Sequence, residues 1–123
     1  LNAATSKRIL VADDAETITS LLMTALETGG YDVSVATNGV ETYEKGVAED
    51  FDLVILDHLM PGLLGLEVIQ QWREQGIETP VIMLSGVDDD HTVVASLDLG
   101  ATDFVRKPFR LTELMARIRQ RLN

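Results

Sequence analysis

Short apolar runs alternate with amphipathic stretches along the chain, and the alternation repeats five times. Ile9-Leu10-Val11-Ala12 is a continuous apolar run, as a central strand covered on both faces requires. Ile18, Leu21, Leu22, Ala25 and Leu26 follow at helical spacing, and Gly29-Gly30 ends that helix. Tyr31–Ala36 instead alternates apolar with polar or small residues, which predicts a half-exposed strand at a sheet edge. Val40, Tyr43 and Val47 mark a second helix, with Asn38 as its cap. Leu53–Leu56 reads as a buried strand. After the Pro61-Gly62 break, Leu66, Ile69 and Trp72 predict a third helix, stopped by Gly76. Val81–Leu84 is a fourth strand, and Val93, Val94 and Leu97 belong to a helix ending at Gly100. A short strand, Asp103–Val105, and a closing helix through Leu111, Leu114, Met115, Ile118 and Leu122 complete the fifth unit. The fold class is therefore α/β: a doubly wound (βα)5 sandwich in which right-handed crossovers put helices on both faces of a parallel sheet.

At 123 residues the chain fits one domain. It is expected to run from 7 to 123, after a disordered leader or tag scar at residues 1–6. With no initial Met, the expectation is a segment cut from something longer, or a tag scar at residues 1–6. The longest apolar runs are too short to cross a bilayer, so no membrane is expected, and with no signal-type leader the expected location is cytoplasmic. The lack of cysteine excludes disulfides, thiolate metal sites and thiol catalysis. A net charge of -10 argues against direct nucleic-acid binding. That charge is uneven: residues 106–123 carry six basic residues and one acidic, whereas residues 1–105 carry four basic and nineteen acidic. The simpler reading is a solvated basic helix beside acidic neighbours. The sharper one is a subunit or domain contact.

In open parallel sheets, ligands bind beyond the carboxyl ends of the strands. The residues expected there are Asp13 and Asp14, Asp57, Ser85-Gly86 and Lys107-Pro108. Three carboxylates converging in a partly dry site repel one another, and need a cation or retained protons. Oxygen-only ligands favour a hard ion, Mg²⁺ above all. Lys107 can balance a charge or hold a phosphate, Ser85 can donate a hydrogen bond, and backbone amides near Leu59 and Gly86 can complete an anion pocket. Together these groups point to phosphoryl chemistry. Taken singly each is ordinary: Asp14 would serve as a helix cap, and Lys-Pro as a turn.

The chain resembles the receiver domain of two-component response regulators over nearly its whole length. The resemblance rests on Val11-Ala12-Asp13-Asp14, Leu56-Asp57-His58-Leu59-Met60-Pro61-Gly62, Gly65, Leu84-Ser85-Gly86, Gly100-Ala101 and Asp103-Phe104-Val105-Arg106-Lys107-Pro108-Phe109. It implies the flavodoxin-like strand order 2-1-3-4-5. It also implies that Asp57 accepts a phosphoryl group from the phosphohistidine of a histidine kinase or histidine phosphotransfer protein. Asp14, Asp57 and the Leu59 carbonyl would hold Mg²⁺ directly, and Asp13 through water. Lys107 would pair with one phosphoryl oxygen, Ser85 would bond another, and the Lys107–Pro108 peptide would be cis. Ser85 and Phe104 would form the switch, changing the face of helix 4, strand 5 and helix 5 that addresses an output domain or effector. The first helix, including Thr17, Ser20 and Met23, is where the family docks its kinase. Such a domain is a signalling switch that catalyses its own phosphorylation and dephosphorylation, and not a turnover enzyme.

Several positions depart from the family pattern. Leu64 stands where an acidic residue usually caps or flanks the third helix, so loop packing or a partner contact is expected to change. Leu59 and Val87, two residues beyond Asp57 and Ser85, are apolar and cannot orient an attacking water, which predicts a long-lived phosphoaspartate. His58 and the Asp88-Asp89-Asp90-His91 run read as local structure and helix capping before metal binding. Asp103, Glu113 and Arg117 suggest a phosphorylation-linked homodimer, while the lack of any Lys or Arg in the fourth helix speaks against it. Two rival functions are a small Mg²⁺ phosphohydrolase, which here lacks a second acid beside Asp57, and an interaction module that is never phosphorylated.

Overall fold

The computed structural model describes residues 6–86 and 90–123. Strands β1 (Arg8–Ala12), β2 (Asp32–Ala36), β3 (Leu53–Leu56), β4 (Val81–Ser85) and β5 (Asp103–Arg106) alternate with five helices. These are α1 (Glu16–Thr28), α2 (Gly39–Ala48), α3 (Gly65–Glu74), α4 (Asp90–Asp98) and α5 (Leu111–Leu122). All strand pairs are parallel, in the order β2-β1-β3-β4-β5. The alternating strand β2 lies at the edge, as its pattern requires. The continuous runs β1, β3 and β4 are buried on both sides.

Strand side chains point alternately to the two faces, so each run feeds two cores. Leu10, Val54, Leu56, Val81 and Met83 pack with Val68, Ile69 and Trp72 of α3. Ile9, Val11, Leu53, Ile55, Ile82 and Leu84 pack with Leu22 and Leu26 of α1 and Leu114 and Ile118 of α5. Asn38 caps α2 as expected, its side chain accepting from Glu41 N at 2.8 Å.

Two helices present a different face from the one their apolar periodicity marks. Val40 and Val47 of α2 are 45% and 47% exposed, and the helix instead buries Gly39 and Thr42. The reason is Trp72, fully buried, whose Nε1 donates to Tyr43 O at 3.2 Å. Its ring lies against the bare backbone of Gly46, where a Cβ would sit 2.2 Å from it, and a Cβ on Gly39 would sit 2.0 Å from a different neighbour, Leu63 O. Likewise α4 buries the small polar residues Thr92 and Ser96 while Val94 and Leu97 face solvent. Of the expected leader at 1–6 only Ser6 is among the described residues, and Val87, Asp88 and Asp89 also lie outside them.

Candidate functional site

Because every strand runs the same way, the segments leaving β1, β3 and β5 converge at one end of the sheet. The chain is led there by a set of main-chain bonds: Asp13 N donates to Ala36 O, Asp57 N to Ala12 O, and Lys107 N to Ser85 O. The carboxylates of Asp13, Asp14 and Asp57 each place an oxygen within 4.8 Å of the others. Asp13 and Asp57 are buried, 2% and 5% exposed, whereas Asp14 opens to solvent. Lys107 Nζ donates to Asp13 Oδ2 at 2.7 Å and stands 3.4 Å from Asp57 Oδ2. The Lys107–Pro108 peptide is cis.

The electrostatics follow from burial. Desolvation and then the neighbouring Asp13 charge push the Asp57 carboxyl above its ordinary range, and Lys107 and the Leu59 amide oppose that only in part. Burial also works against the Lys107 ammonium, but the bond to Asp13 and the charge of Asp57 outweigh it and raise its pKa. One ammonium thus pairs with two of the three clustered carboxylates, Asp13 and Asp57. The all-oxygen donor set, with Asp14 reachable from solvent, fits a hard divalent cation.

A family model described as the response regulator receiver domain matches residues 9–119. The chain belongs to that family. This receiver domain is 43% identical to the alkaline phosphatase synthesis transcriptional regulatory protein PhoP of Bacillus subtilis, over 93% of the chain and 48% of the relative. It is also 43% identical to the response regulator MprA of Mycobacterium ulcerans, over 93% of the chain and 49% of that protein. The chain therefore spans about half the length of these curated relatives. Among solved structures, a Francisella response regulator receiver domain superposes with a TM-score of 0.90 at 33% identity, covering 95% of this chain and 97% of that one. The response regulator TrrA of Thermotoga maritima, solved with Mg²⁺ and BeF, gives 0.83 at 36% identity over 94% and 98%.

The receiver domain brings together Asp13, Asp14, Asp57 and Lys107. Ser85 is fully buried at the end of β4, beside exposed Gly86, and Leu59 is 55% exposed after β3. Phe104 is partly buried against the α2–α3 core, with the Arg106 guanidinium 5.8 Å from its ring centre. The capping role considered for Asp14 is not taken up: the N-cap of α1 is Ala15, which has no side-chain bond, and Asp13 Oδ1 accepts from Ala15 N at 2.9 Å as a local turn contact.

His58 contributes to local structure in a way its position in sequence does not reveal. Its Nδ1 accepts from Leu66 N at 3.3 Å, while Glu67 Oε1 accepts from Leu64 N at 2.8 Å. These two groups serve the first amides of α3, where Leu64 has no capping oxygen of its own. Gly65 makes this possible, since a Cβ there would sit 2.5 Å from Asp57 O. His91 is exposed, Met115 packs in the α1–α5 core, and Met23 is half-buried. Among the described residues no helix is long and apolar enough to cross a membrane.

Proposed function

We propose that this receiver domain is a phosphorylation-activated switch in which Asp57 takes a phosphoryl group from the phosphohistidine of a histidine kinase or histidine phosphotransfer protein. The observation that carries the reading is the buried Asp57 carboxylate held between two further aspartates and one lysine. An Asp57 oxygen forms the new bond to phosphorus as the P–N bond breaks. The electron pair returns to the imidazole nitrogen, which takes a proton from solvent water and leaves as neutral imidazole. Mg²⁺, held by Asp14, Asp57 and the Leu59 carbonyl, with Asp13 acting through water, would supply charge neutralisation for the transferring group. Lys107 is assigned to one phosphoryl oxygen, Ser85 to another, and the Leu59 and Gly86 amides to the anion pocket.

Docking is assigned to α1. A cleft of about 500 Å³ lined by Ile18, Leu21, Pro108, Phe109 and Leu111 opens beside Lys107, and Thr17 and Ser20 on α1 are exposed. Output is assigned to the face of α4, β5 and α5, through movement of Ser85 and Phe104, toward an output domain or effector in the cytoplasm. A phosphorylation-linked homodimer through that face would have to exchange internal pairs, because Arg117 already bonds Asp103 at 2.7 Å and Glu113 at 3.1 Å. The domain would catalyse its own phosphorylation and dephosphorylation without turning over an external substrate.

Intact mass after incubation with a small acyl phosphate tests the reading. One added phosphoryl group is expected, dependent on Mg²⁺ and absent in Asp57→Ala. Steady release of phosphate without an adduct would favour a phosphohydrolase, and Mg²⁺ binding with neither would favour an unphosphorylated interaction module. The exposed, apolar Leu59 also implies a long-lived adduct, since it cannot orient water. Leu59→Asn is expected to speed its decay several-fold, and an unchanged rate counts against the assignment.

A further inference from the structure

Arg73, at the end of α3, is a half-buried cation that the acidic site does not use. Its Nε donates to Leu99 O at 3.0 Å and its Nη1 to Ile77 O at 2.8 Å. Its Nη2 donates to Thr79 O at 3.0 Å and to Gly100 O at 3.3 Å. Burial depresses its pKa, and Glu78 adds only an opposing charge at longer range. The cation is therefore held by main-chain carbonyls from two places: the α3–β4 connection and the segment that follows α4.

The second pair of carbonyls belongs to a helix end. The helical turn closes through Gly100 N to Leu97 O and Ala101 N to Ser96 O, with Gly100 at φ 88. Carbonyls at this end have no helical partner and carry the negative pole of the helix dipole, so a guanidinium satisfies both requirements. One residue further on, Thr102 N donates to Val81 O at 2.7 Å, tying the same segment to the sheet.

Along the rest of α4, Val93 and Ala95 are only half-buried. Its buried side chains are Thr92 and Ser96, the Ser96 hydroxyl is spent on Val93 O of its own helix, and Val94 and Leu97 point outward. Little apolar area therefore anchors its length. Its Asp90 end is the one that follows β4 in the chain, and β4 ends at Ser85.

We propose that Arg73 is the pivot of α4. It pins the carboxyl-terminal end of the helix to α3 and the sheet, so that a change at Ser85 reaches the surface as a swing of the Asp90 end and not as a shift of the whole helix. The origin of the swing rests on the phosphoacceptor reading above, whereas the pin does not.

Amide hydrogen exchange on the whole chain tests both parts, with Arg73→Met and Arg73→Lys compared with the wild type. Without ligand, Arg73→Met is expected to speed exchange at Leu97–Ala101 about tenfold, with α1 and α5 unchanged, because a charge-assisted clamp has been lost. Arg73→Lys is expected to show a smaller rise, since one ammonium cannot serve carbonyls in both segments. With Mg²⁺ and beryllofluoride, exchange in the wild type is expected to change at Asp90–Val93 and not at Leu97–Ala101. In Arg73→Met the change should spread along the helix.

Unaltered exchange at Leu97–Ala101 in Arg73→Met overturns the pin. So does an acceleration spread evenly over every element, or failure of both variants to fold, because either would make Arg73 a fold-wide staple. A beryllofluoride response running through Leu97–Ala101 in the wild type overturns the pivot. If the wild type shows no response anywhere, the swing falls together with the phosphoacceptor reading, and the ligand-free comparison still decides the pin.

Discussion

Each end of the sheet sets carboxylates around a cation, and only one of the two clusters has the makings of a reactive site. At the amino end, Arg8 lies 2.8 Å from Glu49 and 3.5 Å from Asp32, donates to Asp50 O, and stacks over Phe51 at 4.8 Å. The side chains of its ion pairs are 37–64% exposed. At the carboxyl end, Lys107 faces Asp13 and Asp57, whose side chains are 2% and 7% exposed. Water screens the first cluster, with the pairs contributing about 0–1 kcal/mol each. The second is short of both water and positive charge, so the Asp57 carboxyl is pushed up by desolvation and by Asp13. A list of acidic residues would rank the two alike. Burial separates them, because the cost of a charge depends on what replaces its water.

The largest expected contrast comes from removing each cation. Lys107→Ala leaves two buried carboxylates facing each other, and is expected to destabilise the metal-free domain at pH 7 by roughly 2–3 kcal/mol. That is below the ~3–5 kcal/mol of a fully buried broken pair because Lys107 is itself partly exposed. Arg8→Ala, in a solvated cluster, is expected to cost about 1 kcal/mol. Equal losses in urea titrations of the two variants would break the comparison.

A change of sign is expected next. The folded-state pKa of Asp57 lies above the ordinary value of 3.8. Its contribution to stability is thus fully present below that value and is lost as pH rises through the raised folded pKa, leaving a buried charge that opposes folding at pH 7. Asp57→Asn should therefore melt a few degrees higher than the wild type at pH 7 without metal. The advantage should shrink toward zero below pH 4, where both side chains are neutral. Asp32→Asn should show no such gain, and a gain of similar size there would remove the distinction between the clusters. The smallest effect is that of salt. Raising NaCl from low to about 1 M should erase most of the difference between Arg8→Ala and wild type, because exposed pairs are screened. It should alter the Lys107→Ala difference much less.

Much of the domain's fold was legible along the chain. The alternation at Tyr31–Ala36 marked the edge strand, the continuous runs marked the buried ones, and the acids and lysine fell at strand ends, where a parallel sheet must bring them together. Other features were hidden. Val40 and Val47 announce α2, and Val94 and Leu97 announce α4, yet all four face solvent. Periodicity says which residues share a face, and not which face a neighbouring element will cover. In α2 that choice was made by Trp72, which needs the bare backbone at Gly46. His58 as a partner for the α3 amides and Arg73 as a clamp on the end of α4 left no local trace, since their bonding partners lie 8 and 26–27 residues away.

The sequence by itself determined the order of elements, the two-sided burial of the central strands and the inventory of charged groups at the strand ends. These follow from local pattern and from the handedness of parallel crossovers. Only the tertiary structure decided how dry each carboxylate is, which acid Lys107 bonds most closely, and which helix faces are left open. Those are properties of distance and excluded water, and they arise only when segments far apart in the chain are packed against one another.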